Sequence, residues 1–271
     1  MHALFSHPAV QAGLLPFIVA LASAELFQRL RLSGLALIAG FAATVYFAAD
    51  FDFAPLTEIR KVIWLGLAAA LLALPLTLID WRFWRHLLAT LAALATIWVV
   101  WDLLQAQPLV DSLRWCAGSA LYVAWLVYWC DGLRERPVAA ANAGIALGLG
   151  TGLAALFAAA TLPGLFGLAL GAAALAYLTI QLVTNSTLPC GRSFTLPLAL
   201  IAGLSACLAL VATQQPWYSL VALGLIPLAA HVPLAAKWSV RLQSLALFLL
   251  TSAGAAAAVY VTWKKGEVLF W

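Results

Sequence analysis

The sequence predicts an all-α fold, a polytopic membrane helix bundle of about ten transmembrane helices joined by short loops. Three observations carry that prediction. Of the 271 residues, 65% are hydrophobic and only 9% are charged, against roughly 25% charged in a soluble domain, so no water-facing surface can be assembled from them. Apolar runs of about 20 residues recur from end to end, each long enough to cross a hydrocarbon core of about 30 Å. The connections are short, as at 161–164 and 214–216, which forces consecutive spans to be antiparallel neighbours.

Taken in order, spans are predicted over 9–28, 33–49, 61–80, 84–105, 112–131, 138–160, 164–184, 194–213, 217–236 and 240–262, and residues 1–271 form a single transmembrane domain. The first run lacks the basic segment of a secretory signal and therefore reads as a span. Before the third, Pro55 breaks the chain and Thr57 can cap the helix N-terminus. The sixth and seventh form a hairpin in which Gly144, Gly148 and Gly152 recur every fourth residue on one arm, and Gly167 and Gly171 on the other. Residues four apart share a helix face. Each arm thus carries a strip of bare backbone, a glycine zipper that lets two helices approach closely in lipid. This hairpin is the expected centre of the bundle. In the ninth span, Pro227 and Pro233 each remove a helical hydrogen bond, so the helix is expected to bend around His231.

Charge sets the orientation. Alternate loops collect Arg29, Arg31, Arg82, Arg85, Arg134, Arg136, Arg192, Lys237 and Arg241 on one side, and Arg60, Lys61, Arg114, Lys264 and Lys265 on the other. The first side is then cytoplasmic. The sequence therefore predicts a multi-pass protein of a bacterial-type inner (plasma) membrane with both termini outside the cytoplasm. Trp64, Trp101, Trp115, Trp217 and Trp263 fall at predicted outer ends, and Trp81, Trp84, Trp129 and Trp238 at inner ends, where amphipathic rings prefer to sit.

An internal echo suggests a parallel repeat of units 33–105 and 194–263. LeuAlaLeuIleAlaGly occurs at 35–40 and again at 198–203; LeuGlyLeu at 65–67 recurs at 223–225, and ProLeu at 75–76 recurs at 233–234. Copies related by six spans share one orientation in the membrane, as in some transporter folds.

Four polar residues are candidate substrate-binding groups, because ionisable and amide side chains inside a membrane are costly and often functional. Glu25 stands one turn before Arg29, where an i,i+4 pair at the headgroup level would satisfy it; the functional alternative is a carboxylate facing a cavity. His231, between two prolines, either bonds a carbonyl they free or lines a substrate path. Asn142 and Gln181 near inner helix ends make interhelical hydrogen bonds or, in the functional reading, line an inner vestibule. Arg82 and Arg85 are placed to hold anionic lipid headgroups.

The absences restrict function further. The sequence has no phosphate-binding loop, no HisGluXaaXaaHis and no Gly-Xaa-Ser-Xaa-Gly, and His231 has no second ligand at metal spacing on its span. No enzyme activity, cofactor or metal is expected. The net charge of +4 sits in short loops, so nucleic acid is not an expected partner. Cys116 and Cys130 lie about 21 Å apart on one helix and cannot bridge. Two readings remain: a small-solute or lipid-like carrier, and a non-catalytic accessory or scaffold subunit of a larger membrane complex. Membrane lipids are expected partners in both, and other membrane subunits in the second.

Overall fold

The computed structural model describes residues 7–28, 32–49, 54–76, 83–105, 107–213, 215–234 and 238–269, and these are helical with no strand. Arg82 and Arg29 fall outside them, so the Arg82 headgroup contact and the Glu25–Arg29 pair do too. A π-turn, Val10–Leu14, leads into α1 (Leu15–Gln28). A short 3-10 turn, Ser33–Leu35, opens α2 (Ala36–Ala48). The chain continues as α3 (Glu58–Leu76), α4 (Trp84–Leu104), α5 (Leu109–Asp131), α6 (Pro137–Phe157), α7 (Thr161–Thr184), α8 (Gly191–Thr213), α9 (Trp217–Gly224), α10 (Ile226–Ala230) and α11 (Val240–Leu269).

Several boundaries follow from local chemistry. The Thr57 hydroxyl accepts from the Arg60 N–H at 3.4 Å at the start of α3, satisfying one of the amides a helix N-terminus leaves unpaired. Pro137 opens α6, at the position where a missing N–H costs nothing. Asn185, with φ 49°, ends α7 in the left-handed conformation that asparagine tolerates best after glycine.

Among the described residues, seven helices are long and apolar enough to cross a membrane: Val10–Gln28, Glu58–Leu76, Trp84–Leu104, Pro137–Phe157, Thr161–Thr184, Gly191–Thr213 and Val240–Lys265. Such a set suggests a membrane-embedded protein. Ser33–Ala48 and Trp217–Ala230 are shorter apolar segments, and α5, though 23 residues long, carries Asp111, Arg114 and Asp131.

The predicted hairpin is present as a pair, and α6 and α7 make the most extensive helix–helix contact in the bundle. A Cβ on Gly148 would lie 2.3 Å from the Gly171 nitrogen, and one on Gly167 2.5 Å from the Gly152 nitrogen. Backbone touches backbone here. Gly144 lies against Ala174, whose Cβ would be 2.9 Å from its own. The most enclosed helix, however, is α8, with 94% of its apolar stretch buried against 22% for α11. It packs on α3 and α5 on one side and on the α6–α7 pair on the other, with α1 and α2 beyond α7, α4 beyond α5, and α11 against α6.

Two ion pairs mark opposite ends of the bundle. Lys61 Nζ reaches Asp102 at 2.5 Å and the Trp98 carbonyl at 3.2 Å. At the other end Asp131 meets Arg192 at 3.0 Å, both side chains nearly buried, while Arg192 also donates to the Leu76 carbonyl at 2.7 Å. Arg192, counted among the loop charges, is therefore an interhelical clamp joining α3, α5 and α8.

The ninth span is interrupted well before His231, just ahead of Pro227, which has no N–H to give the Leu223 carbonyl. α9 ends at Gly224 and α10 starts at Ile226, and the Trp125 indole N–H donates to the Gly224 carbonyl at 3.0 Å. The segments paired by the sequence echo differ locally: LeuGlyLeu lies inside continuous α3 at 65–67 but straddles this break at 223–225.

Candidate functional site

The four polar candidates take up separate surroundings. Glu25 is exposed on α1. Asn142 is fully buried; its amide N–H donates to the Val138 carbonyl at 2.8 Å and to Ser244 at 3.3 Å, and its Oδ1 has no partner. Gln181 on α7 is equally buried, and neither atom of its amide is hydrogen-bonded. His231 lies 2.8 Å through Nδ1 from the Pro227 carbonyl. A carbonyl only accepts, so Nδ1 carries the proton. The acceptor is the carbonyl of Pro227 itself, one turn back, and not one of the two that a missing proline N–H frees, those of Leu223 and Ala229. Arg85 donates from Nε to the Tyr128 carbonyl at 2.5 Å, with its guanidinium 3.7 Å from the Tyr128 ring.

A large opening lies elsewhere. A groove of about 500 Å³ runs between α5 and α9, inside the range of about 300–1,000 Å³ typical of small-molecule sites. Trp115, Tyr122 and Trp125 of α5 and Trp217 of α9 wall it, with Leu220 and Val221 between them. Gly118 opens it: a Cβ there would meet nothing within 4 Å. Asp111 and Arg114, exposed and 3.8 Å apart, stand at one end. The other end is the α9–α10 break, held by the Trp125–Gly224 hydrogen bond. A hollow of about 370 Å³ adjoins it, sharing Trp115, Leu210 and Trp217. In that hollow the buried Gln215 amide donates to Ser219 at 2.7 Å and leaves Oε1 unpaired.

At the opposite end a cavity of about 430 Å³ is lined by Glu135, Arg136, Thr187 and Gln243 and by the neighbours of His231. A fourth opening, an apolar groove of about 440 Å³, separates α6 from α11 beside Leu153, Phe157 and Tyr260. None of Glu25, Asn142, Gln181 and His231 lines these four openings.

The α5 groove has a sequence signal that the aromatic-belt reading passes over. Trp115, Gly118, Tyr122 and Trp125 are spaced three, four and three residues apart, which puts one glycine among three large rings on a single helix face. Such a face makes a notch. Chemically, the notch offers apolar and aromatic contact along its length and paired charges at one end, a match for an amphiphile rather than for a small ion. No protein-family model matches this sequence, and no curated protein matches it.

Proposed function

We propose that the chain crosses a bacterial-type inner membrane ten times, with both ends outside the cytoplasm, and serves as a carrier for a lipid-like amphiphile that enters the α5–α9 groove from the side. The observation that carries this reading is the aromatic notch itself, about 500 Å³ in volume, set against a helix that breaks at Gly224. Discontinuous membrane helices commonly border the binding sites of carriers. The apolar walls fit an acyl or prenyl chain, and Asp111 with Arg114 fits a polar head carrying both signs of charge. No catalytic role is part of this proposal.

The test is occupancy. The purified protein should retain a lipid in native mass spectrometry, and Gly118→Leu, which fills open space, should remove it while the protein stays folded. Unchanged lipid retention in that variant sinks the groove reading.

A second reading, the accessory subunit of a membrane complex, is favoured by one observation: the four buried or polar candidates do not gather around a shared cavity. The α6–α11 groove, apolar and rimmed by Phe157 and Tyr260, would then receive a helix of another chain. Stoichiometric companions after extraction from native membranes in mild detergent support this reading, and their absence supports the carrier.

A further inference from the structure

We propose that Arg85, Trp129 and His231 form a binding site for a phosphate-bearing anion, at the end of the bundle where α4 begins and α5 ends. The proposal is independent of the groove. Arg85 is held in one orientation, with Nε on the Tyr128 carbonyl at 2.5 Å and its plane stacked 3.7 Å from the Tyr128 ring. That orientation leaves Nη2 buried and without an acceptor. Among the described residues no carboxylate pairs with it, because Asp131, next to this cluster in sequence, is committed to Arg192 at 3.0 Å and faces Arg134 at 3.9 Å. A guanidinium N–H shut off from water without an acceptor is costly, and an anion there would satisfy it.

The surroundings supply the rest of an anion site. The Trp129 ring stands 5.4 Å from both the Arg85 guanidinium and the His231 ring, and its indole N–H is also buried without a partner. Pro227 fixes His231 through Nδ1, which turns Nε2 toward Gly132. A Cβ at Gly132 would lie 2.7 Å from His231 Nε2 and 3.0 Å from Arg85 Nη2, so the missing side chain keeps both groups converging on one point. A second cation, Arg136, reaches the His231 carbonyl at 3.2 Å. The two unpaired donors, Arg85 Nη2 and Trp129 Nε1, with no acid paired to them among the described residues, suit a tetrahedral oxyanion, whose oxygens accept in the forked geometry arginine presents; His231, with its proton on Nδ1, borders this site without donating to it. Either an anionic phospholipid headgroup or free phosphate has that chemistry.

The experiment uses the full-length protein in neutral detergent, with thermal unfolding followed during titration by inorganic phosphate, by phosphatidylcholine micelles, and by the same micelles containing phosphatidylglycerol. Phosphatidylglycerol or phosphate should raise the Tm, whereas phosphatidylcholine alone should not. A response to phosphate identifies a free-anion site; a response to phosphatidylglycerol only identifies a headgroup site. Arg85→Gln should weaken the response roughly tenfold or more, as expected for a lost charge-assisted hydrogen bond. Trp129→Phe keeps a ring but no donor, and Gly132→Ala puts a methyl against His231 Nε2 and Arg85 Nη2; both should weaken binding in a folded protein, and they carry the test if Arg85→Gln does not fold. No stabilisation by either anion, or wild-type affinity in all folded variants, overturns the proposal.

Discussion

Two glycine-to-alanine substitutions test the packing against each other. In both, alanine gains about 0.8–1.0 kcal/mol of helix propensity. At Gly118 nothing opposes that gain, because the new Cβ has no neighbour within 4 Å; the variant should be as stable as the parent or about 1 kcal/mol more so. At Gly148 the new Cβ would sit 2.3 Å from the Gly171 nitrogen, 2.7 Å from its Cα and 2.9 Å from the Gly167 carbonyl oxygen. Ordinary contact begins near 3.4 Å, so α6 and α7 must separate by about 1 Å. The obstacles are backbone atoms, which cannot rotate away. A gap of that size forfeits a quarter to a half of each nearby dispersion contact, and overpacking usually costs about 1–3 kcal/mol even where side chains can adjust. The upper end of that range outweighs the propensity gain. Gly148→Ala should therefore lose about 2 kcal/mol relative to the parent and about 3 relative to Gly118→Ala. Thermal unfolding of the three proteins in one mild detergent, followed by tryptophan fluorescence, measures the order. Equal midpoints for Gly148→Ala and the parent would refute the backbone-contact argument.

Other outcomes are equally concrete. Removing Asp131 alone leaves Arg192 buried and unpaired, so Asp131→Ala should cost about 3–5 kcal/mol, whereas Asp131→Leu combined with Arg192→Met should be far less damaging; a double-mutant cycle in detergent decides, and additive losses would contradict the pairing. Burial pushes the Cys190 thiol up to about 12, so the proton stays on sulfur until the pH nears that value and the thiolate fraction at pH 8 is on the order of 10⁻⁴. Maleimide should leave Cys190 untouched at pH 8 in the folded protein and label it once the protein is denatured; rapid labelling in the folded state would show the thiol is not enclosed. A reporter active only outside the cytoplasm should work when fused to either terminus, and a cytoplasmic signal from one end would mean an odd number of crossings.

Hydropathy reveals which segments are apolar but not which neighbour they face, since lipid and protein interior are equally acceptable to leucine. That is why α8 and α11 read alike as spans, although one is enclosed and the other mostly turned outward. Small residues are a better guide, and Gly148 and Gly171 come together because only bare backbone allows that approach. The candidate site was less legible. Trp115 and Trp217 belong to the expected aromatic belt, yet they wall a groove, a second use that position along the helix does not distinguish. Arg192 looks like a loop charge because its partner Asp131 is 61 residues away, beyond any periodic pattern. Asn142 and His231 also bond carbonyls one turn back on their own segments, those of Val138 and Pro227, local partners that differ from the interhelical and proline-freed ones expected.

The Asp131–Arg192 clamp also bears on how the chain is made. At roughly 5–20 residues per second, the stretch from Asp131 to Arg192, 61 positions on, takes about 3–12 s to synthesise. During that interval the Asp131 carboxylate has only the long contact with Arg134 at 3.9 Å, and the slot between α3 and α6 that α8 will occupy is still vacant. A ribosome stalled between Thr184 and Arg192 would thus leave Asp131 without the buried arginine that it meets in the finished bundle.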